Sequence, residues 1–244
     1  MKSIAVIGAK GFVGSKICYF INQSNRYSLI PVVRGDSLIN AINQADIIVH
    51  AANPAKRFYA QNNPDEDFIE TVEKTKLIKK YTGKKRLILV SSISARTELD
   101  TVYGKNRREC ELIVKSPNAL IIRLGPMFGS GKSIGALNDL LKSKTVFVAE
   151  TTKYAYVNVD YNAKKISTLA KDLSLNGLIE LGAEKGISLK ELKKIIGSNS
   201  TFEGKDDTQI PINPQPDAPH IVRVVDYIHS IIKKPSNQIN TNDY

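Results

Sequence analysis

Apolar and polar positions follow two alternating patterns along the first half of the chain. Runs rich in β-branched residues predict buried strands at 3–8, 27–33, 45–52, 86–92 and 119–125. Segments with apolar residues at helical spacing predict helices at 12–23, 36–44, 65–81 and 99–116. A polar loop is predicted from Pro54 to Pro64. Strands and helices that alternate at this spacing predict an α/β fold, with a parallel sheet covered on both faces.

The alternation loosens after Gly125. The pattern there predicts a glycine-rich loop and a helix, a strand at 154–160, a helix at 161–174, a short strand at 177–182, a helix at 188–197 capped by Ser188, an extended segment at 211–219 and an amphipathic helix at 221–234. We expect a dinucleotide-binding core at 1–125, a mixed substrate-binding region with returning core strands and helices at 126–234, and a disordered tail at 235–244.

Composition narrows the class of protein. With 244 residues and 42% hydrophobic content, the chain can bury a sizeable core. No apolar run approaches the length of a membrane span, and the first residues do not have the pattern of a signal peptide. Cys18 and Cys110 have neither metal-ligand nor disulfide spacing, and no metal site is expected. These features predict a reduced, cytoplasmic protein.

The net charge of +11 suits a phosphate-bearing ligand, a nucleic acid or an anionic surface. Much of it lies at 74–86, where seven residues are basic and none is acidic. Lysines surround an apolar stripe there, as on a solvated helix face. Because Tyr81 is the single aromatic residue among these charges and no known nucleic-acid motif appears, the segment argues against nucleic-acid binding.

A glycine-rich sequence follows the first predicted strand and opens the first predicted helix. Glycines at this point permit a tight turn and a close backbone approach to a pyrophosphate, while the helix N-terminus faces the anion. The pattern predicts a doubly wound, Rossmann-type sheet that binds a dinucleotide. The candidate contacts in the loop and first turn are Gly8, Lys10, Gly11, Phe12, Val13 and Gly14.

The end of the second predicted strand bears on the choice of cofactor. An acidic residue there would bind the ribose hydroxyls of NAD, but this strand ends in Val33-Arg34. An arginine suits the 2′-phosphate of NADP, so NADP is favoured and NAD is the alternative. An exposed charge after a strand would look the same.

Several motifs in order along residues 2–196 resemble the extended short-chain dehydrogenase/reductase family, the epimerase/dehydratase group that acts largely on nucleotide sugars. Besides the glycine loop, the matching stretches are "ADIIVHAAN", "LVSSIS", "RLGPMFGSG" and "YAYVNVDYNA". The resemblance implies that the backbone of Ala51 and Ala52 lines the cofactor. It also implies that Gly125 lies beside the nicotinamide.

The same resemblance implies the catalytic roles. Ser92 would hold the reacting oxygen, and Tyr103 would be the general acid/base while hydride moves to or from the nicotinamide. A lysine four residues after the tyrosine binds the nicotinamide ribose in this family and lowers the tyrosine's pKa. Arg107 occupies that position here, and Glu111 matches a glutamate common further along the helix.

The sequence departs from the family pattern in other places as well. The interval from Arg34 to Asp46 is short for the strand and helix that usually intervene, which resembles the subgroup containing dTDP-4-dehydrorhamnose reductases. Asp36 would then contact the adenine, although a helix cap fits equally well. Thr71 stands where many members have an asparagine. Ser94 could orient a substrate or simply cap a turn.

Two functional hypotheses follow. The first is an NADP-dependent oxidoreductase, epimerase or dehydratase that acts on a nucleotide-linked sugar, with a homodimer formed through helices such as 65–81 and 99–116. The second is a non-catalytic protein of the same fold that senses a dinucleotide or scaffolds a partner, which Arg107 would permit.

Overall fold

A parallel sheet covered by helices forms the centre of the molecule. The computed structural model describes residues 1–24, 26–132 and 134–232. Its strands are β1 (Lys2–Ile7), β2 (Tyr27–Val32), β3 (Ile47–His50), β4 (Arg86–Ser92), β5 (Ala119–Leu124), β6 (Met127–Phe128), β7 (Lys153–Tyr154), β8 (Val157–Asn158), β9 (Gly177–Leu181) and β10 (Ile187–Ser188).

The helices are α1 (Phe12–Asn22), α2 (Leu38–Gln44), α3 (Arg57–Asn62), α4 (Pro64–Phe68), α5 (Lys74–Thr82), α6 (Ser94–Thr97), α7 (Val102–Val114), α8 (Ala136–Leu141), α9 (Val159–Lys171), α10 (Leu189–Ile196) and α11 (Val222–Ile232). A π-helical segment, Ile69–Glu73, joins α4 to α5. None of these helices is long and apolar enough to cross a membrane.

The main sheet has six strands in the order β2-β1-β3-β4-β5-β9, and every neighbouring pair is parallel. The chain moves outward from β1 to β2 and then returns past β1 to β3. A doubly wound sheet binds its ligand at such a reversal, outside the carboxyl ends of the strands. The predicted α/β doubly wound fold is confirmed.

Apolar side chains fill both faces of the sheet. On one face α1 and α9 pack over a cluster that includes Ile17 and Ile166. On the other face α2, α5 and α7 cover a cluster that includes Ile42 and Ile78. A third cluster joins the elements after β5 and includes Phe128. The returning strand β9 pairs with β5, so the chain after Gly125 contributes to the same sheet.

A buried network of ions holds the middle of the sheet to α7. Arg123 donates two hydrogen bonds to Glu111, at 2.8 and 2.7 Å, and a third to Glu180 at 3.2 Å. Arg96 reaches the two carboxylate oxygens of Glu180 at 3.0 Å each. Ser91 donates to Glu111 at 2.7 Å. Arg123, the arginine of the "RLGPMFGSG" stretch, and Glu111 therefore pair with each other and stabilise the packing of α7 on the sheet.

Several sequence predictions need correction. The predicted loop from Pro54 to Pro64 contains α3, and the helix predicted at 65–81 is interrupted by the π-helical segment. The single strand predicted at 154–160 is divided between β7 and β8, and α9 already begins at Val159. The Ser188 capping box is present. The predicted tail at 235–244 lies outside the described residues, as do the last two residues of the helix predicted at 221–234.

The interval after β2 is as short as the sequence predicts. It contains only the seven-residue helix α2, after which β3 pairs directly with β1. On this side of the sheet β2 is therefore the edge strand. Its fifth residue is Pro31, which pairs in register with Val6. Proline lacks a backbone N–H and occurs in sheets almost entirely on edge strands.

Candidate functional site

The loops after β1 and β3 meet closely at the reversal point of the sheet. Gly8 has a φ of 92°, and a Cβ at this residue would lie 2.7 Å from the Ala51 carbonyl oxygen. A Cβ at Gly14 would lie 2.1 Å from the Gly8 carbonyl oxygen, and one at Gly11 3.1 Å from the same atom. Glycine is therefore required at Gly8 and Gly14, because a side chain would push the strand end, the helix and the β3 loop apart.

Helix α1 begins immediately after this turn. Gly11 is its N-cap residue and supplies no side-chain hydrogen bond to the helix. The first N–H groups of a helix have no partner within it, so Phe12 and Val13 present donors at the positive end of the helix dipole. Lys10 is exposed beside them. The loop and the first turn of α1 thus lie together at a helix N-terminus, a position suited to a phosphate group.

Asp36, predicted to contact the adenine, and Arg34, predicted to bind the 2′-phosphate of NADP, differ in their surroundings. The Asp36 carboxylate accepts a hydrogen bond from the Val33 N–H at 2.7 Å and closes the turn after β2. Asp36 and Ser37 are the two residues that the sequence offers as the cap of this helix, and Ser37 is the N-cap residue of α2, although its side chain makes no cap hydrogen bond. The Arg34 side chain is 91% exposed, with Glu70 3.5 Å from its guanidinium.

Tyr103 lies in the first turn of α7, where the backbone is tightly packed. Thr101 caps the helix by accepting a hydrogen bond from the Gly104 N–H at 3.0 Å. A Cβ at Gly104 would lie 2.0 Å from the Glu98 carbonyl oxygen, so the glycine allows α7 to approach the turn after α6. The Tyr103 side chain is 8% exposed. Its orientation is thus fixed by the backbone on both sides.

Arg107 follows one turn later and lies against the same ring. Its guanidinium carbon is 4.7 Å from the centre of the Tyr103 ring. Burial by itself raises the pKa of Tyr103, but the positive charge of Arg107, with smaller contributions from Arg57 and the Ser92 hydroxyl, lowers it below its ordinary value. Ser92, Tyr103 and Arg107 therefore lie together at the carboxyl end of β4. Lys105 is exposed on another face of α7.

Buried polar atoms without partners surround this group. Arg107 is 3% exposed and donates one hydrogen bond to the Pro54 carbonyl, while its Nη1 has no partner among the described residues. Both amide atoms of Asn53, just after Ala52, are also buried without a partner in that part of the chain. A polar ligand would satisfy such atoms. Together with the glycine loop, they fit a bound nicotinamide dinucleotide.

A second arginine lies at the site and was not predicted. Arg57 begins α3, and its guanidinium carbon is 5.9 Å from the centre of the Tyr103 ring. It forms ion pairs with Asp207 and Glu98 and donates to Ser94 at 3.0 Å. Its stretch was expected to be a loop without motif, so the sequence carried no signal for it.

Ser94 has a structural role. It is fully buried, and its hydroxyl oxygen accepts hydrogen bonds from Arg57 and, at 3.2 Å, from Gln209. These contacts join the turn after β4 to the segment that contains Asp207 and Gln209. We therefore expect the hydroxyl to position neighbouring residues, and the alternative that it orients a substrate loses support.

His50 supports the loop after β3 from beneath. Its Nε2 lies 3.0 Å from the Thr75 hydroxyl, and the Ala52 N–H donates to its Nδ1 at 3.4 Å. Burial, with the nearby charges of Arg107 and Lys74, lowers the pKa of His50 to about 3. The imidazole is therefore neutral and helps to fix the backbone at Ala52.

The π-helical segment supplies the other end of this hydrogen-bond chain. The Thr71 carbonyl accepts from the Thr75 hydroxyl at 2.7 Å and from the Cys110 thiol at 3.5 Å. The Thr71 hydroxyl is buried without a partner among the described residues. Cys110 is a free, buried cysteine, and Cys18 is free and half-buried.

Gly125, which the family resemblance places beside the nicotinamide, directly follows β5. Its N–H donates to the Leu181 carbonyl at 3.0 Å, and a Cβ would lie 3.4 Å from Ile93. This geometry joins β5 to β9. In the described part of the chain, no group of three or more His, Cys, Asp or Glu side chains could hold a metal ion.

Known proteins resemble this chain in structure but not in sequence. No protein-family model matches the chain, and no curated protein matches it in sequence. UDP-N-acetylglucosamine 4-epimerase from Bacillus cereus is similar in structure, with a TM-score of 0.69 and 17% identity over 97% of this chain and 98% of that one.

Two further solved structures show the same likeness. An NAD-dependent NDP-hexosamine 5,6-dehydratase of tunicamycin biosynthesis superimposes with a TM-score of 0.77 and 10% identity, over 96% of this chain and 99% of that one. The dTDP-4-dehydrorhamnose reductase from Bacillus anthracis, in complex with NADP, superimposes with a TM-score of 0.74 and 15% identity, over 96% of this chain and 100% of that one. The chain therefore has the fold of the extended short-chain dehydrogenases/reductases, the fold that the sequence motifs indicated.

Proposed function

We propose that this protein is an NADP-dependent oxidoreductase, epimerase or dehydratase that acts on a nucleotide-linked sugar. The observation that carries the proposal is the group at the carboxyl end of β4. Tyr103 lies beside Ser92, and neighbouring positive charge lowers its pKa. A tyrosine in such surroundings is suited to exchange a proton with a substrate oxygen.

The cofactor would lie along the carboxyl ends of β1 and β3. The turn at Gly8 and the first turn of α1 would hold its diphosphate, and Arg34 would bind the 2′-phosphate that distinguishes NADP from NAD. The 91% exposure of Arg34 leaves its fork of donors accessible. When bound, the nicotinamide would supply hydride exchange with the sugar carbon.

The side chains of this chain would handle the proton. Ser92 would donate a hydrogen bond to the reacting oxygen, and Tyr103 would accept the proton as phenolate or return it as phenol. A tyrosine with an ordinary pKa of about 10 needs a decrease of about 3 units to act near neutral pH. A cation about 4 Å away at an effective dielectric of about 20 contributes about 4 kcal/mol, so an arginine could supply the required interaction.

A nucleotide-linked sugar fits the charge of the protein and the proteins that share its fold. The net charge of +11 favours ligands that carry a diphosphate. The similar structures include a UDP-N-acetylglucosamine 4-epimerase and a dTDP-4-dehydrorhamnose reductase. As a homodimer the chain would pair through α5, α7 and the π-helical segment. Exposed apolar side chains there include Ile69, Leu77 and Leu112.

A panel of ligands in a thermal-unfolding assay tests the proposal. NADP should raise the Tm more than NAD at equal concentration, and a nucleotide sugar should add a further shift when the cofactor is present. NAD-only stabilisation would remove the role of Arg34. No shift with either dinucleotide would overturn the proposed function.

The arrangement of Arg107 favours a second candidate, a non-catalytic protein that binds the dinucleotide. The guanidinium donates to the Pro54 carbonyl and stacks on Tyr103, so it is already engaged within the protein. Binding of NADP without hydride transfer to or from any nucleotide sugar would favour this candidate. A change in cofactor absorbance during turnover would exclude it.

A further inference from the structure

A tight turn brings Lys132 over the beginning of α1. Its N–H donates to the Gly129 carbonyl at 3.2 Å, and Gly129 and Gly131 have φ values of 134° and 85°. A Cβ at Gly129 would lie 2.9 Å from Val159, at the start of α9, and one at Gly131 would lie 3.8 Å from Phe12. The turn is thus held between α9 and α1.

The Lys132 side chain continues toward the glycine loop. Its ammonium lies 5.1 Å from the centre of the Phe12 ring, a cation–π contact worth about 0.5–1 kcal/mol at an exposed site. The residue is partly buried, and burial, together with the charge of Arg57, lowers the pKa of Lys132 while Tyr103 acts in the opposite sense. Among the described residues, no carboxylate contributes to this change in the pKa of Lys132.

Positive charge therefore converges beside Phe12 and Tyr103. Lys132 approaches from above Phe12, Arg107 lies against Tyr103, and the N-terminus of α1 adds the positive end of its dipole. A desolvated cation beside other positive charge is unfavourable unless an anion neutralises it. Phe12 is the first residue of α1, so the Lys132 ammonium lies beside a helix N-terminus whose backbone donors suit a phosphate group.

We propose that Lys132 binds the diphosphate of the dinucleotide held at the glycine loop, so that the turn 129–132 covers the bound cofactor. The inference rests on the proposed function, because it names the ligand of the same site. It adds a residue from the region after β5 to a binding surface otherwise built by β1, α1 and β3. A nucleotide sugar also carries a diphosphate, but Phe12 belongs to the cofactor loop.

Lys132→Met tests the proposal, because it removes the charge and keeps most of the length of the side chain. Lys132→Arg should restore binding, and Lys142→Met, on the exposed C-terminal end of α8, is the matched control. Dissociation constants would be measured by calorimetry for NADP, UDP and inorganic pyrophosphate at low and moderate salt.

We expect Lys132→Met to weaken NADP binding about tenfold or more and to weaken its dependence on salt, with UDP affected less. Equal NADP affinity in parent and variant would overturn the role of Lys132 and leave the proposed function intact. A larger effect on UDP than on NADP would assign the lysine to the substrate instead, against the proposal. A further outcome is that the protein binds pyrophosphate through Lys132 and fails to bind NADP. That result would refute the proposed function but would still show that Lys132 contacts a diphosphate. A parent protein that binds none of the three ligands would overturn both.

Discussion

The guanidinium of Arg107 lies over the face of the Tyr103 ring, with its central carbon 4.7 Å from the ring centre. A lysine at the same position would carry a compact ammonium that can reach past the ring to a ligand. The planar group instead stacks on the tyrosine and donates to the Pro54 carbonyl. Compared with a lysine, Arg107 keeps the positive charge beside the Tyr103 phenol but extends less far toward the ribose of a bound cofactor.

Replacement of Arg107 tests whether it supplies positive charge to Tyr103 while binding the cofactor less well than a lysine would. Arg107→Met should raise the pKa of Tyr103, because the largest charge that lowers it is removed. The acid limb of the kcat profile should then move to higher pH. Arg107→Lys should return the limb toward the parent position and lower KM for the cofactor. If the kcat profile of Arg107→Met matched that of the parent, another cation, such as Arg57, would be responsible for the lowered pKa of Tyr103.

Tyr103→Phe removes the hydroxyl that we propose exchanges the proton and leaves the ring. Turnover should fall by at least about a hundredfold, the usual contribution of a general acid/base, while the affinity for the dinucleotide stays within about twofold. The control is Tyr161→Phe, since that hydroxyl lies on α9 and bonds Asp217 at 3.3 Å. Equal turnover in Tyr103→Phe and parent would remove the catalytic assignment.

His50 predicts a specific dependence of stability on pH. Its pKa is about 3 in the folded protein against an ordinary 6.5, so between these values the unfolded chain binds more protons. The contribution of neutral His50 to the free energy of unfolding is fully present above pH 6.5. It decreases as the pH falls toward 3, by up to about 1.4 kcal/mol per pH unit.

His50→Gln should remove this proton uptake. Urea unfolding at several pH values between 7 and 4 would measure the difference in slope between parent and variant. The variant should show the shallower loss of stability on acidification, even if it is less stable at pH 7. Parallel curves would mean that His50 is protonated equally in both states.

The ion network predicts a large loss of stability from a small change. Arg123→Met removes two charged hydrogen bonds from the buried carboxylate of Glu111 and leaves those from Arg108, at 3.2 Å, and Ser91. Breaking a buried pair from one side costs about 3–5 kcal/mol. The comparison is Asp217→Asn, which breaks a more exposed pair with Lys165 and should cost less than about 1 kcal/mol. Denaturant midpoints at pH 7 would separate the two outcomes.

The sequence predicted the main sheet well because strand and helix patterns there depend on local burial. Each run of β-branched residues from β1 to β5 is flanked by a turn or a helix, and burial on both faces makes the pattern continuous. The helix α3 and the π-helical segment were missed. Their backbone depends on distant contacts, such as Arg57 with Asp207, which no local pattern reveals.

The sequence predicted those residues of the candidate site that belong to a recognisable motif. Ser92, Tyr103 and Arg107 were chosen from their order along the chain, and the fold places them together, although their roles stay predictions. Arg57 and Lys132 reach the same place from a stretch expected to be a loop and from a glycine turn. The sequence offered no reason to select either, because their position depends on how α3 and the turn pack.

Pro31 has a consequence for the assembly of this protein. An open sheet edge can recruit a strand from another molecule through its unpaired backbone groups, and proline on the edge is one way proteins prevent this. With Pro31 in β2, the shortened side of the sheet is a poor template for a further strand. The edge at β2 is therefore protected against the addition of a strand from another molecule, and the homodimer proposed above would not form through this edge.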